Sequence, residues 1–398
     1  MIISKPPSLT TSLSDMEGPK KMLIEHLLAN RISSNGLLQL RSMINSDDLS
    51  DIIQHIYDLN EKYILQISKV EGLMRIFDDI KNQRRNNLFT KKMKSGFRGK
   101  SPNNKVILAE GDSWFNYPII LTDIIDRISM EKNFAVYSLA SGGDWLLNML
   151  TGRHYVEELS ILHPDVFLIS GGGNDLVGSR RLAAVLESKP GDEYLHSSWA
   201  QQLIENADGK FIPLNRDDFN EGVRYLSKDF FALLMFFHLQ YYSLIHGILK
   251  SGKFLNIQII TQGYDYPIPS SKIGGLKIWR WYIPFVRKFL GHSSWLSTPM
   301  KIRGITNEDL QRKILYSIIY LFNEMAIQLG ASINEEFPDS VFHIDSRGSV
   351  GNGGWTDELH ARPEHFLRTG EVFANCINKS TKPDYAHTYI VGKMKSEK

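Results

Sequence analysis

The stretch VILAEGDSWFNYP, residues 106–118, decides how the chain is read. Val106 to Ala109 form a short apolar run, the pattern of a strand buried on both faces. The run ends in Gly111-Asp112-Ser113, and Trp114 and Phe115 come next. Gly-Asp-Ser at the end of a strand is either ordinary turn chemistry or a serine presented at the edge of a sheet. The residues at the ends of the other strands separate the two readings.

Beyond residue 100, short apolar runs alternate with helical patterns. NKVILAE (104–110), FAVYSLA (134–140), DVFLISG (165–171), NIQIITQG (256–263) and SVFHIDS (340–346) read as five buried strands. Helical periodicity lies near 119–132, 144–160, 219–250 and 306–331, and again after 363. Strands separated by helices predict a parallel sheet covered on both faces, which gathers its chemistry at the carboxyl ends of its strands. Residues 180–218 read as loop. Residues 264–305, with WRWYIPFVRKFL at 279–290, read as an insert that shapes a substrate site.

Four strands lead into suggestive residues. The first leads to Gly111-Asp112-Ser113 and the second to Ser141-Gly142-Gly143-Asp144. The third leads to Gly171-Gly172-Gly173-Asn174-Asp175, and the last to Trp355-Thr356-Asp357-Glu358-Leu359-His360. Alone, each serine, asparagine or aspartate would be a turn or cap residue, and His360 would be one of 12 histidines. Together they supply what nucleophilic catalysis needs. A hydroxyl requires a base within hydrogen-bond reach, and an imidazole requires a carboxylate on its other nitrogen. Ser113, His360 and Asp357 provide the three, and the three-residue spacing lets Asp357 fold back onto His360.

This set resembles the SGNH hydrolases, the GDSL esterase/lipase family. Gly111-Asp112-Ser113 stands where its nucleophile block does, with Trp114 in place of the usual leucine. Gly143 before Asp144, Gly172-Gly173-Asn174-Asp175 and Asp357-Glu358-Leu359-His360 correspond to the other three blocks, and QGYDYPIP (262–269) is similar to bacterial members. The likeness spans residues 104 to about 380 and leaves residues 1–100 outside. It implies an α/β fold: a flavodoxin-like, doubly wound parallel sheet of five strands in an α/β/α sandwich, with an N-terminal helical region. It implies an oxyanion hole from the backbone N–H groups of Ser113 and Gly143 and the side chain of Asn174. Asp112 and Asp175 would brace the loops. His343, His365 and Glu358 default to surface or supporting roles. The expected activity is hydrolysis of a carboxylic ester, a lipid acyl ester ahead of a glycan O-acetyl group, with no cofactor and no metal. The alternative is a metal-dependent phosphoesterase, echoed by Gly111-Asp112 and Gly173-Asn174-Asp175, although the first strand lacks the Asp-x-His pair that chemistry uses.

Three segments organise the chain: 1–100, helical with a basic linker; 101–382, the hydrolase-like domain; and 383–398, a C-terminal tail. Residues 1–20 are rich in Ser, Thr and Pro. From Leu49 to Ile80 apolar residues recur at three- and four-residue steps, one stripe of a long amphipathic helix. That region is expected to act as a cap on the main domain, or as a docking or homo-oligomerisation module. KNQRRNNLFTKKMKSGFRGK (81–100) carries eight Lys or Arg and no acid, and reads first as a solvated linker with a helix tail and second as a contact for an anionic partner, RNA or lipid headgroups. No folded nucleic-acid motif accompanies it.

Composition sets the outer limits. In 398 residues, 42% hydrophobic and 23% charged with a net charge of +2, there is no global field for nucleic acid. One cysteine, Cys376, excludes a disulfide framework and a thiolate cluster. The N-terminus lacks a secretory leader pattern, which predicts a cytoplasmic protein, although export by a dedicated machine leaves no readable trace. FFALLMFFHLQYYSLIHGIL (230–249) has spanning length, but His238, Gln240, Ser243 and His246 favour a core helix. Membrane-surface contact is the remaining association the apolar and cationic segments suggest.

Overall fold

A computed structural model describes residues 16–49, 52, 80–117, 122–177, 181–207, 212–254, 256–269 and 295–392. The expected helix over 53–79 and the run 279–290 lie outside the described residues. The strands are β1 (Lys105–Gly111), β2 (Phe134–Ser138), β3 (Val166–Ser170), β4 (Gln258–Gln262), β5 (Val341–Asp345) and β6 (Thr388–Ile390). The principal helices are α1 (Gly18–Leu28), α2 (Ser34–Met43), α3 (residues 80–94), α4 (Ile124–Ser129), α5 (Leu146–Gly152), α6 (Lys228–Lys250), α7 (Glu308–Glu336) and α8 (Pro363–Asn378).

All six strands are parallel, in the order β2-β1-β3-β4-β5-β6. The five expected strands form a doubly wound α/β sheet, and their apolar runs are buried because helices cover both faces. Gln258 and Thr261, three positions apart on β4, point to opposite sides. Gln258 donates to the Cys376 carbonyl of α8 at 3.2 Å, whereas Thr261 bonds His343, whose other nitrogen lies 3.5 Å from Asn323 of α7. Helix α4 packs on α8, and α6 packs on α5 and α7.

Among the described residues the sheet has six strands rather than five. Thr388–Ile390, in the segment read as a tail, pairs with β5, and the Asp384 carboxylate accepts the Ile390 N–H at 2.8 Å. Three residues are too few to show periodicity. The region 180–218 is also more regular than a loop, with helices at Ser198–Ala207 and Arg216–Val223.

Two apolar helices, α6 and α7, are long enough to cross a membrane by length and composition, yet most of each apolar stretch is buried in the protein. Helix α6 lies against α7 on one side and receives α1 and α2 on another. A helix covered nearly all round needs apolar residues nearly all round, which accounts for its sequence. Leu23, Ile24, Leu27, Leu37 and Leu40 join the same core as the sheet. Arg41 lies over the Tyr242 ring at 3.8 Å and donates to Ser332 of α7 at 3.1 Å.

The basic run 81–100 is only partly solvated: Arg84, Lys91, Lys94, Arg98 and Lys100 are exposed, but Arg85 is buried. Residues 80–94 are helical and close the open edge of β2. The Asn86 side chain accepts from the Ser138 N–H at 2.8 Å and donates to the Ser138 carbonyl at 3.0 Å, as a neighbouring strand would. Asn82 donates to Ala140 at 2.7 Å, and Lys92 to Phe134 at 2.5 Å. Arg85 is buried against Asp123 and Asp126, at 2.6 and 2.7 Å, and Lys81 joins the same pair. Burial pulls the Arg85 guanidinium down, but the two carboxylates outweigh it and hold it above its ordinary value.

Candidate active site

The loops after β1, β2 and β3 lie side by side because those strands are neighbours. The Asp112 N–H donates to the Ser170 carbonyl at 3.0 Å, and the Ser141 N–H donates to the Gly111 carbonyl at 2.8 Å. The first loop turns immediately: the N–H groups of Phe115 and Asn116 both reach the Asp112 carbonyl at 3.0 Å. This turn sets Ser113 at the carboxyl edge of the sheet.

His360 arrives from a tight turn after β5. The Thr356 N–H donates to the His360 carbonyl at 2.7 Å, and Trp355 bridges to Ala361. Within the turn, the Asp357 carboxylate accepts the N–H groups of Leu359 and His360, each at 2.8 Å. His360 Nδ1 lies 2.9 Å from both Asp357 oxygens, and His360 Nε2 lies 2.9 Å from Ser113 Oγ. Burial pushes the Asp357 carboxyl up, but the imidazole beside it and the N–H groups of Leu359 and His360 outweigh burial and hold it below its ordinary value. It is therefore ionised at neutral pH, and an ionised carboxylate on Nδ1 leaves the lone pair of Nε2 for the serine proton.

Trp114 and Phe115 are packing residues. Both are buried, and the Trp114 indole N–H donates to the Leu359 carbonyl at 3.3 Å, tying the serine loop to the histidine turn. Phe366 of α8 meets the indole edge-on at 5.3 Å. Glu358, buried, turns away from His360 and accepts the N–H groups of Leu296 and Ser297 at 3.0 and 3.2 Å. His343 is a core residue of β5, and burial pushes its imidazole down to about 4.

Gly143 and Asn174 occupy the flanking loops. Gly143 has φ of 92°, which a side chain would disfavour. The Asn174 amide donates to the Asp144 carbonyl at 3.0 Å and so joins the third loop to the second. Gly172, with φ of 101°, makes the turn before Asn174, where a Cβ would come within 2.8 Å of the Phe322 ring. No hydrogen bond links Gly143 or Asn174 directly to Ser113 among the described residues. The structure joins Ser113, His360 and Asp357 by contact; Gly143 and Asn174 come to the same sheet edge through strand pairing.

Asp112 and Asp175 are buried beneath these loops. Asp112 accepts from the Trp114 N–H at 3.1 Å, from the Tyr264 hydroxyl and from Ser170. Burial pushes its carboxyl up to about 6 against these donors. Asp175 accepts the Leu146 N–H at 3.0 Å at the start of α5, and burial likewise pushes it up to about 6, opposed by the Arg181 charge. The Tyr241 hydroxyl of α6 donates to the Gly171 carbonyl at 2.8 Å and accepts the Gly171 N–H at 3.0 Å. Sequence reasoning missed Tyr241, which belongs to no motif, and gave Tyr264 no role although it lies within QGYDYPIP (262–269). Among the described residues, no group of three or more His, Cys, Asp or Glu has the arrangement of a metal site.

No family model matches the chain, and no curated protein matches it. Two solved structures align with it. One, described as a GDSL-like lipase from Parabacteroides merdae, is 12% identical with a TM-score of 0.28, covering 67% of this chain and 93% of its own. The other, an extracellular lipase from Streptomyces rimosus, is also 12% identical with a TM-score of 0.28, covering 65% and 86%. That likeness is distant.

Proposed function

We propose that the chain is a serine ester hydrolase acting on a carboxylic ester. The observation that carries this reading is the continuous contact from Ser113 Oγ to His360 Nε2, 2.9 Å, and from His360 Nδ1 to Asp357, 2.9 Å. Ser113 Oγ attacks the ester carbonyl as His360 Nε2 takes its proton. The Asp357 carboxylate holds Nδ1–H and offsets the imidazolium charge. The tetrahedral oxyanion accepts hydrogen bonds from the N–H groups of Ser113 and Gly143 and from the Asn174 amide, whose second hydrogen is not committed to Asp144. By precedent one such donor is worth about 2.7–4 kcal/mol. The C–O bond to the leaving group breaks, and the alcohol departs with the proton from His360. Water then attacks the acyl-enzyme, giving its proton to His360; the bond from the acyl carbon to Ser113 Oγ breaks, Ser113 takes that proton back from His360, and the carboxylic acid leaves.

Within this class, the aromatic and cationic run 279–290 favours a lipid acyl ester over a glycan O-acetyl group. Residues 230–249 add nothing to that preference, because they form a core helix. The test is turnover of short- and long-chain p-nitrophenyl esters by wild type and Ser113→Ala, with and without chelator. The expected result is chelator-insensitive turnover, lost by several orders of magnitude in the variant without loss of fold. Normal turnover by Ser113→Ala contradicts the mechanism. Fatty acid released from phospholipid vesicles, with no acetate from acetylated glycan, selects the lipid substrate.

A further inference from the structure

The chain just beyond Ser113 is held by an unusual number of restraints. Arg85 donates to the Phe115 carbonyl at 3.2 Å and to the Asn116 side chain at 3.3 Å. Lys81 donates to the Tyr117 carbonyl at 3.1 Å. The Tyr117 N–H donates to Asp123 at 3.1 Å, and Asp123 is itself clamped by Arg85 and Lys81. All these partners lie on α3 or at the start of α4, away from the serine, yet they fix where the Tyr117 side chain goes.

That side chain touches both members of the His360–Asp357 pair. Its ring centroid is 4.4 Å from that of the His360 imidazole, with the planes inclined at 45°. Its hydroxyl faces Asp357 Oδ2 at 3.4 Å, a long contact, so the ring does more of the holding than the O–H. The opposite constraint on the imidazole comes from Ser113 and Asp357. The His360 side chain is 13% exposed and sits on a short turn, so a wall on its ring face limits the rotations open to it.

We propose that Tyr117 is a positioning residue: its ring sets the His360–Asp357 pair against Ser113, and α3, through Lys81 and Arg85, sets Tyr117. The kinetic consequence rests on the ester-hydrolase reading; the geometric consequence does not. An imidazole displaced by about 1 Å loses the serine hydrogen bond, a change that costs about 10²-fold in rate where proton transfer depends on it. Tyr117 is buried, so the loss is expected to fall on kcat and to leave KM near its original value.

The experiment compares the full-length wild type, Ser113→Ala, Tyr117→Phe and Tyr117→Leu. It measures kcat and KM on p-nitrophenyl butyrate and thermal midpoints, and solves a crystal structure of Tyr117→Leu. Tyr117→Phe keeps the ring and is expected to retain kcat within about threefold, while Tyr117→Leu loses about 10- to 100-fold in kcat with KM within about twofold. In the leucine variant the distance from His360 Nε2 to Ser113 Oγ is expected to leave hydrogen-bond range. A leucine variant with wild-type kcat and His360 unmoved overturns the proposal. If Ser113→Ala turns over like wild type, the ester-hydrolase reading falls, and the crystallographic distance still decides the role of Tyr117. If the leucine variant does not fold, Tyr117→Phe decides: rescue of kcat and fold by the ring alone supports the proposal, whereas a kcat as low as that of Ser113→Ala contradicts it.

Discussion

At the scale of single residues, the site depends on carboxyl groups kept in opposite states by their surroundings. Asp357 stays ionised because donors surround it, whereas Glu110, at the end of the strand that carries the serine loop, is buried and accepts the Gly111 N–H at 3.2 Å. Burial, reinforced by the Asp144 charge, pushes the Glu110 carboxyl up from 4.5 to about 8. The folded chain therefore binds this proton where the unfolded chain has released it, and the contribution of Glu110 to stability falls as pH rises from about 4.5 to about 8. Glu110→Gln removes the titration. Urea midpoints at pH 5, 7 and 9 are expected to show the variant gaining on wild type as pH rises; a difference independent of pH contradicts this. Ser113, His360 and Asp357 were legible because each belongs to a short local motif, at a strand end or within one turn, although Ser113 and His360 lie 247 positions apart. Tyr117 was not, because an aromatic after Trp114 and Phe115 reads as packing and its partners lie some 240 positions away.

Among the elements, α3 carries more than its composition suggests. A run of cations without acids reads as solvated, yet two of them, Lys81 and Arg85, find their carboxylates about 40 residues downstream. Such pairing leaves no local trace. Asp123 is fully buried and caps α4, and those cations balance it inside the protein. Arg85→Met leaves Asp123 with Lys81 as its remaining cation, so the fold is expected to lose more than about 1 kcal/mol but less than the ~3–5 kcal/mol of a buried charge left wholly uncompensated. Urea denaturation checks this, and a change below about 1 kcal/mol, the size of an exposed ion pair, contradicts the clamp. The five long strands were readable because each is a run of β-branched and aromatic residues bounded by turns. The sixth was not, because a three-residue edge strand is defined by its pairing and not by its pattern.

Over the whole molecule, the parallel sheet brings the first and last site residues together across 247 positions. The serine loop lies beside the second and third loops by strand pairing, and the histidine turn is tied back to it by Trp114 and Leu359. Helices α1 and α2 share the core of the sheet through α6, and α3 seals its open edge, so these described parts of the N-terminal segment pack on the same body. Motif spacing could place the loops at one end of a sheet. It could not show that the segment outside the resemblance braces them. On the proposed mechanism Ser113 is a nucleophile activated by His360, and covalent labelling reads that activation out. Full-length protein treated with a fluorophosphonate, digested and read by mass spectrometry, is expected to carry one adduct, on Ser113, formed more than about 10²-fold more slowly in His360→Gln. An adduct on another residue, or labelling of Ser113 at the same rate without His360, would contradict the account.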